Sequence, residues 1–257
     1  MAVRFEKQDA IGYVILDRPP ANSYDRAFME ELDAAIESAR SDDAVRSIVV
    51  RSASEKFFSA GADVSVFAKS DLDTQNAFVV CANEAMTKFE STPKVIIAAI
   101  NGHCLGGGLE IALCCDFRIA AEGTYKIGLP EVTLGLLPGT GGTQRLPRLI
   151  GRQRALELML KGTTLSPQEA KNAGIVDEVV PPGELLARAT ALATEYASGP
   201  SYARGQIKLA TVQGFGTSLA EGLATERAAL IRLFGSEDAR EGVKAFVEKR
   251  KPEYQGR

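Results

Sequence analysis

A glycine-rich turn directly after a continuous apolar segment is the feature that most constrains the fold of this chain. Lys94–Ile100 is rich in β-branched residues, and this pattern predicts a buried strand. The following Asn101–Glu110 contains three consecutive glycines, and Ile111–Cys115 is suited to a short buried helix. Without Cβ atoms at this strand-to-helix junction, another group can approach the backbone closely. Free N–H groups at the start of a helix can then bind an anion.

Glu110 makes this turn a candidate functional site. The carboxylate follows the glycines Gly106 to Gly108 in an apolar context. Buried carboxylates are rare without a partner or a chemical task. A tight turn in which glycine only permits close packing is the alternative interpretation.

The composition is that of an ordinary globular protein with an acidic balance. The 257 residues are 45% hydrophobic and 25% charged, with a formal net charge of −3. This balance argues against a general nucleic-acid binder. Apolar runs such as Val95–Ile100 are far too short to span a membrane. The first residues lack the apolar core of a signal peptide, so we expect a cytoplasmic protein with no membrane partner.

The cysteines and the single histidine form no recognisable metal or nucleophile motif. Cys81, Cys104, Cys114 and Cys115 lack CxxC spacing, and we expect them to be reduced core thiols. A single histidine, His103, gives little support to a His-rich metal site or a serine–histidine triad. We expect His103 to fill a loop or packing position, with a role as general base as the alternative. No metal is expected.

Hydrophobic periodicity predicts an alternation of strands and helices. Val3–Gln8 and Gly12–Leu16 predict a β-hairpin. Asp25 is a suitable N-cap for a helix over Arg26–Arg40. Further strands are predicted at Ser47–Val50 and Asp116–Ala120, and a helix near Leu72–Glu90. This order predicts an α/β architecture with crossover connections.

Two segments rich in small residues are predicted to be loops that can approach a ligand. The first is Ser52–Asp63, for which a plain strand–helix connection is the alternative. The second is Tyr125–Gly142, which is irregular and long for a compact domain, as functional loops often are. In that loop Glu131 follows a proline and can open a short helix whose dipole favours its charge. A solvated cap is the alternative interpretation of Glu131.

The chain after Gly151 is predicted to be mostly helical. Helical spacing covers Arg152–Lys161, Ser166–Ala173, Glu184–Ala197, Tyr202–Gln213, Leu219–Phe234 and Glu237–Lys249. Because Gly199-Pro200 marks a break, we expect residues 1–198 to form the core with the active site and residues 199–257 to form a helical oligomerisation region.

Apolar side chains in the last helices favour assembly of several copies of the chain. They include Leu219, Leu223, Leu230 and Phe234. They follow a core that is already complete by itself, so we expect an oligomer. A tail that folds back on its own core is the alternative.

The small-residue turns and the two carboxylates suit a reaction that passes through an enolate. Backbone N–H groups near Ala62 and Gly107 could converge on one oxygen and form an oxyanion hole, in which one donor is worth ~3 kcal/mol of barrier. Glu110 and Glu131 would supply general acid–base chemistry. No dinucleotide fingerprint competes, because consecutive glycines do not match the spaced glycines of such a loop.

The sequence resembles the crotonase, or enoyl-CoA hydratase/isomerase, superfamily over essentially its whole length. The matching segments are Asp17–Pro19, Phe58–Asp63, Asn101–Gly102, Gly106–Glu110, Leu129–Glu131, Pro138–Leu146 and Ala245–Arg250. The resemblance implies an α/β, crotonase-like spiral of ββα units with a C-terminal helical trimerisation region. It also implies a homotrimer, or a hexamer built as a dimer of trimers.

The resemblance further implies roles for individual residues. The N–H groups of Ala62 and Gly107 would hold the thioester oxygen, Glu110 and Glu131 would act on the catalytic water, and the N–H of Gly139 would help to hold that water. The expected contacts with coenzyme A are Ala60, Ala62, Asp63, Val64, Ser65 and Gly107, with Lys249 as a candidate for its phosphates across a subunit boundary. Coenzyme A is part of the acyl-CoA substrate, so the resemblance implies no separate cofactor.

The retention of both glutamates favours hydration. The resemblance then implies an enoyl-CoA hydratase, a hydro-lyase of fatty acid β-oxidation type that adds water across a trans-2-enoyl-CoA to give 3-hydroxyacyl-CoA. The alternatives are an enoyl-CoA delta-isomerase or another crotonase-fold acyl-CoA enzyme, and a non-catalytic acyl-CoA-binding or RNA-binding homologue. Asn22-Ser23-Tyr24 departs from the Asn-Ala-Leu that hydratases often have, and Tyr24 would therefore reshape the acyl or pantetheine region.

Overall fold

Short strands alternate with helices along the chain. The computed structural model describes the backbone of residues 1–257 and every side chain except that of Phe67. The strands are β1 (Val3–Gln8), β2 (Ile11–Leu16), β3 (Ser47–Ser52), β4 (Phe57–Ser59), β5 (Val95–Ile100), β6 (His103–Leu105), β7 (Phe117–Ala121), β8 (Ile127–Gly128), β9 (Thr164–Leu165) and β10 (Glu178–Val180). The α-helices are α1 (Arg26–Ser41), α2 (Val64–Phe67), α3 (Leu72–Ser91), α4 (Gly107–Leu113), α5 (Gly142–Ile150), α6 (Arg152–Lys161), α7 (Pro167–Asn172), α8 (Leu185–Ala197), α9 (Ser201–Phe215), α10 (Leu219–Phe234) and α11 (Glu237–Glu248). Short 3-10 helices cover Glu131–Leu134 and Pro182–Glu184.

The strands form two sheets of different size. The larger sheet has the order β1-β2-β3-β5-β7-β10, and the smaller sheet has the order β4-β6-β8-β9. Strands β2, β3, β5, β7 and β10 are parallel, with β1 antiparallel at the edge. In the small sheet β4, β6 and β8 are parallel and β9 is antiparallel. From β3 to β8, successive strands alternate between the two sheets. The pairs β3-β4, β5-β6 and β7-β8 each lead into helical structure, which gives a spiral of strand–strand–helix units.

The core lies around the large parallel sheet. Every residue of β5 is buried, as expected for a strand that is covered on both faces. Helix α8 packs on β2, β3, β5 and β7, while α1 packs on α3 and the hairpin strands. The predicted hairpin is confirmed, with Val3 opposite Leu16. The predicted cap is confirmed as well, since the Asp25 carboxylate accepts a hydrogen bond from the Phe28 N–H at 3.0 Å.

Several short elements differ from the sequence prediction. The segment predicted as a loop over Ser52–Asp63 contains β4, and the loop Tyr125–Gly142 contains β8 and a 3-10 helix. The mostly helical C-terminal part also contains β9 and β10. Strands of two or three residues are too short to show periodicity, and they form because a neighbouring strand is already in place to pair with them.

Two helices have boundaries that the sequence pattern does not reveal. Helix α4 begins at Gly107, earlier than the expected segment Ile111–Cys115. Helix α5 was not expected, because glycines at its start and Pro147 inside it argue against a helix. It forms because the chain turns at Gly141, where φ is +115°, and packs Leu146 into the core.

Helix α9 is fixed to the core by a buried lysine. The Lys208 ammonium donates to the carbonyl oxygens of Phe89 at 2.9 Å and Lys94 at 3.0 Å, and it lies 2.9 Å from a carboxylate oxygen of Asp116. A buried ammonium with three such partners is well satisfied. These contacts connect α9, the first helix after the break at Gly199, to α3 and to the residues directly before β5 and β7.

Candidate active site

Three neighbouring parallel strands of the small sheet end at the candidate site. Strand β4 leads into residues 60–63, β6 leads into Gly106 and Gly107, and β8 is followed closely by Glu131. Because β6 pairs in parallel with both β4 and β8, the carboxyl ends of the three strands lie on one edge of the sheet. This edge brings together three segments that are distant in sequence.

The loop after β4 lies directly against the start of α4. At Gly61, where φ is +88°, a Cβ would lie 2.8 Å from the Gly107 nitrogen and 2.8 Å from the Leu105 oxygen. Only glycine permits this close approach and this backbone conformation. The loop that contains Ala62 therefore packs against the start of α4, where Gly107 lies.

The amides of Ala62 and Gly107 are both available to a ligand. The Tyr24 N–H donates to the Gly61 oxygen at 2.9 Å, and the Asp63 N–H donates to the Tyr24 oxygen at 2.8 Å. These bonds fix the residues on either side of Ala62, whose own N–H donates to no protein oxygen among the described residues. Gly107 is the first residue of α4, so its N–H has no partner within the helix.

Glu110 is a buried carboxylate that is fully held by hydrogen bonds. It lies in α4 and is 2% exposed. One carboxylate oxygen accepts from the N–H of Thr140 at 2.9 Å and of Gly142 at 2.7 Å, and the other accepts from the Thr140 hydroxyl. Burial raises the pKa of Glu110, while these hydrogen bonds and the Arg145 guanidinium oppose that rise.

Glu131 is a carboxylate in a contrasting environment. It opens a 3-10 helix directly after Pro130, as expected. Its Oε2 is buried without a hydrogen-bond partner among the described residues, and its Oε1 lies 2.9 Å from the position that a Cβ on Gly106 would take. Burial, with a contribution from the charge of Glu110, raises the pKa of Glu131 to about 7. The Glu131 carboxyl can therefore exchange a proton near neutral pH.

Tyr24 lies in the wall of the site. Its ring packs between Phe28 and Phe78, with centroid distances of 6.0 and 5.9 Å. Its hydroxyl is 3.4 Å from the Thr140 hydroxyl and only 1.6 Å from the position that a Cβ on Gly107 would take. Burial and the nearby charge of Glu110 raise the pKa of Tyr24, so the phenol remains protonated.

The other residues that the sequence analysis singled out occupy separate positions. Asp63 caps α2 and accepts hydrogen bonds from the N–H and hydroxyl of Ser65. Gly139 is exposed in the turn before Thr140. Lys249 ends α11 in a left-handed conformation with φ of +55° and is exposed. No hydrogen bond or ion pair of the described residues joins Lys249 to the loops after β4 and β6.

His103 and the cysteines lie in the framework around the site. The His103 ring packs against Phe57 at a centroid distance of 5.1 Å, and its Nδ1 accepts from the Lys126 N–H at 3.2 Å. Cys104, Cys114 and Cys115 are buried free thiols, while Cys81 is partly exposed. Within the described part of the chain, no three His, Cys, Asp or Glu side chains are grouped as metal ligands. No helix of that part combines the length and the apolar character needed to cross a membrane.

The residues that hold Glu110 could not be predicted from the sequence. Thr140 and Gly142 lie in the segment Tyr125–Gly142, which the sequence predicts as a functional loop. No sequence pattern indicates which of its N–H groups point at the carboxylate. Arg145 also approaches this turn, because its guanidinium donates to the Thr140 oxygen at 2.9 Å. The only available signal was the position of these residues in the segment Pro138–Leu146.

The site as a whole has the groups that can support proton transfer beside a carbonyl. Two free amides can bind one oxygen, and two carboxylates with different hydrogen-bond surroundings lie near them. A spiral of strand–strand–helix units carries this arrangement. These features define an α/β protein with a candidate oxyanion-binding site and a candidate acid–base pair.

Comparisons with known proteins identify the family. A model of the enoyl-CoA hydratase/isomerase family matches residues 6–257. A probable enoyl-CoA hydratase of Rhizobium meliloti (strain 1021) is 41% identical over 253 residues, which are 98% of this chain and 97% of that protein. A crotonyl-CoA hydratase of Syntrophomonas wolfei is 36% identical over 250 residues, 97% of this chain and 96% of that protein. The chain belongs to the enoyl-CoA hydratase/isomerase family.

The structural comparison agrees with this assignment. The crystal structure of an enoyl-CoA hydratase from Bacillus anthracis has a TM-score of 0.93 at 39% sequence identity, and the match covers 100% of both chains. The expected crotonase-like fold is therefore confirmed, and the C-terminal helices α9, α10 and α11 are present.

Replacement of Gly107 by alanine tests the contact with Tyr24. Because Tyr24 is buried and its ring packs near Phe28 and Phe78, its hydroxyl has little room to move, and we expect Gly107→Ala to destabilise the protein by about 2 kcal/mol. A shorter side chain in Tyr24→Leu should reduce that penalty in the double variant. The measurement is the urea midpoint of each variant, arranged as a double-mutant cycle.

The matched control is Gly183→Ala, since a Cβ at Gly183 meets no atom within 4 Å. We expect the urea midpoint of that variant to be close to that of the wild-type protein. An equal penalty for Gly107→Ala with either Tyr24 or leucine at position 24 would show that the hydroxyl is not the obstacle.

Proposed function

We propose that this protein is an enoyl-CoA hydratase that adds water across a trans-2-enoyl-CoA to give the 3-hydroxyacyl-CoA. The observation that carries the proposal is the presence of two carboxylates in unlike environments beside two free backbone amides. The relatives named as enoyl-CoA and crotonyl-CoA hydratases support the same activity. An isomerase shuttles one proton between carbons, whereas hydration requires one proton to leave water and another to reach C2.

The amides of Ala62 and Gly107 would bind the thioester oxygen. When the nucleophile adds at C3, the electrons of the double bond move toward this oxygen, and an enolate develops. Preorganised N–H groups stabilise that charge more than the ground-state carbonyl. Coenzyme A itself would contact the backbone and side chains from Ala60 to Ser65, with Lys249 as the proposed contact for its phosphates. The coenzyme belongs to the substrate, so the proposal includes no separate cofactor.

The two glutamates would divide the proton transfers between them. Glu110 is surrounded by three donors that stabilise its ionised form, which suits a base that takes the proton from water. The oxygen of that water then bonds to C3 of the substrate. Glu131, with a pKa of about 7, suits the acid that delivers a proton to C2 of the enolate. The N–H of Gly139 is proposed to help hold the water.

Glutamine variants of both carboxylates test this mechanism. We expect Glu110→Gln and Glu131→Gln each to reduce hydration of crotonyl-CoA by about 10³-fold or more, because the amide keeps the size of the side chain but cannot exchange the proton. Loss of the enoyl-thioester absorbance gives the rate, and mass spectrometry identifies the product. Binding of the thioester should be retained, which would place the defect in the chemistry.

Labelled solvent provides the second readout. The 3-hydroxyl oxygen of the product should come from ¹⁸O-labelled water. Near wild-type hydration by either variant would contradict the two-glutamate mechanism. A wild-type protein that only moves a double bond, without taking up solvent oxygen, would show an isomerase in place of a hydratase.

The pH profile tests the assignment of acid and base. The active form holds one proton on the pair of carboxylates, and raising the pH above the Glu131 pKa of about 7 removes that proton. We therefore expect kcat/KM for crotonyl-CoA to fall above pH 7, approaching roughly tenfold for each further pH unit. The kcat/KM for dehydration of the 3-hydroxyacyl-CoA should fall over the same pH range, since hydration neither takes up nor releases a proton overall. A profile that stays flat on the alkaline side would contradict the acid role of Glu131.

The C-terminal region after Gly199 is proposed to assemble the oligomer. Helix α10 has sixteen residues, but Ala229 is its only buried side chain among the described residues. Its exposed apolar side chains include Leu219 at 80% and Phe234 at 70% exposure. A surface of this kind is typical of a face that a second subunit covers. We propose that residues 1–198 form the catalytic core and residues 199–257 the contact region of a homotrimer, or of a hexamer formed by two trimers.

Sedimentation of surface variants tests this assembly. At micromolar concentration the wild-type protein should sediment as a trimer or hexamer. We expect the double change Leu223→Arg and Phe234→Arg to shift it to smaller species, because buried unpaired charge is costly at an interface. Leu72→Arg, at an exposed apolar position of α3, is the matched control and should leave the assembly intact. A monomeric wild-type protein would contradict the assignment.

A further inference from the structure

The turn that holds Glu110 is itself held from its other side. Toward α4, this turn presents the N–H groups of Thr140 and Gly142 to the Glu110 carboxylate. On the opposite side, Nη1 of Arg145 donates to the Thr140 carbonyl oxygen at 2.9 Å. A Cβ on Gly141 would lie 1.7 Å from the same Nη1. The turn is therefore enclosed between a carboxylate and a guanidinium.

Arg145 is fixed in this position by Glu90. Its Nε donates to one carboxylate oxygen of Glu90 at 2.9 Å, and its Nη2 donates to the other at 2.7 Å. This two-point geometry orients the guanidinium as well as attracting it. Glu90 lies near the end of α3, so the pair links α3 and α5 to the turn that contacts α4.

The guanidinium also contributes charge at the site. The titratable groups that face Glu110 are Arg145 from α5, Glu131 from the 3-10 helix, Tyr24 from the segment before α1, and Cys114 at the end of α4. Arg145 is the cation in this set. Its charge lowers the pKa of Glu110, against the larger effect of burial.

We propose that Arg145, fixed by Glu90, is a positioning residue for Glu110. It keeps the Thr140–Gly142 turn in contact with the Glu110 carboxylate, and its charge favours the ionised form that a base requires. This inference rests on the proposed function, because it takes Glu110 as the base. The alternative is an ion pair that only joins α3 to α5, in which case its loss would lower stability without altering the proton affinity of Glu110.

Two replacements of Arg145 separate the effect of its hydrogen-bond geometry from the effect of its positive charge. In Arg145→Ala both are lost, and we expect kcat/KM to fall about 10²-fold at neutral pH, mainly through kcat. The acidic limb of the kcat/KM profile should also move to higher pH, because the pKa of Glu110 rises without the cation. In Arg145→Lys the charge is kept and the two-point contact is lost. Its kcat should fall, while its acidic limb stays closer to that of wild type.

Added guanidinium ion provides a rescue experiment. It should fill the space left in Arg145→Ala and restore part of kcat, but it should not stimulate the wild-type enzyme. Arg148→Ala is the matched control, since Arg148 lies one turn later on α5, is exposed, and donates only to Gln144 among the described residues. An unshifted acidic limb in Arg145→Ala, or an equal loss in Arg148→Ala, would overturn the proposal.

A direct titration keeps this test independent of the hydratase assay. The ¹³C signal of the Glu110 carboxyl, assigned by its absence from Glu110→Gln, gives the pKa of that group in wild type and in Arg145→Ala. A higher pKa in the variant would support the positioning role even if wild type failed to hydrate crotonyl-CoA. An unchanged pKa in a folded variant would overturn the positioning role and leave the hydratase proposal standing.

Discussion

The burial of one carboxylate constrains the whole active-site region. Glu110 lies in a short helix whose residues are all buried, so its oxygens cannot be satisfied by bulk water. An ionised carboxylate in such a place requires several donors. The chain supplies them from a turn thirty residues later, at Thr140 and Gly142. The position of α5 follows from this requirement, because that helix begins at the turn.

The polarity of the small sheet explains how the remaining groups meet. Parallel strands place their carboxyl ends on one edge, and each of the strands β4, β6 and β8 contributes one segment to the site. The large sheet makes this possible, because its strands alternate along the chain with those of the small sheet. Gly61 lacks the side chain that would separate the loop after β4 from the start of α4, and Gly107 lacks the side chain that would collide with Tyr24. The site thus depends on strand order and on the absence of Cβ atoms.

The sequence predicted the elements whose signal is local. The hairpin β1-β2, the Asp25 cap and the bounds of α10 follow from alternation, capping chemistry and helical spacing, and the structure agrees. Strands β8 and β9 form only through pairing, and α5 contains a proline, so their local signals are absent or misleading. Likewise Glu110 and Glu131 could be singled out by their context. The donors that hold Glu110 could not, because their direction depends on tertiary structure.

The difference between the two glutamates shows why residue type alone does not define a role. Both are carboxylates at one site, and each charge disfavours ionisation of the other. The donors around Glu110 offset its burial, whereas the inward oxygen of Glu131 has no such donor among the described residues. The proposed mechanism therefore assigns the proton of the pair to Glu131 in the resting enzyme. Under the proposed mechanism a base and an acid are both in place before the substrate binds, so binding requires no redistribution of protons.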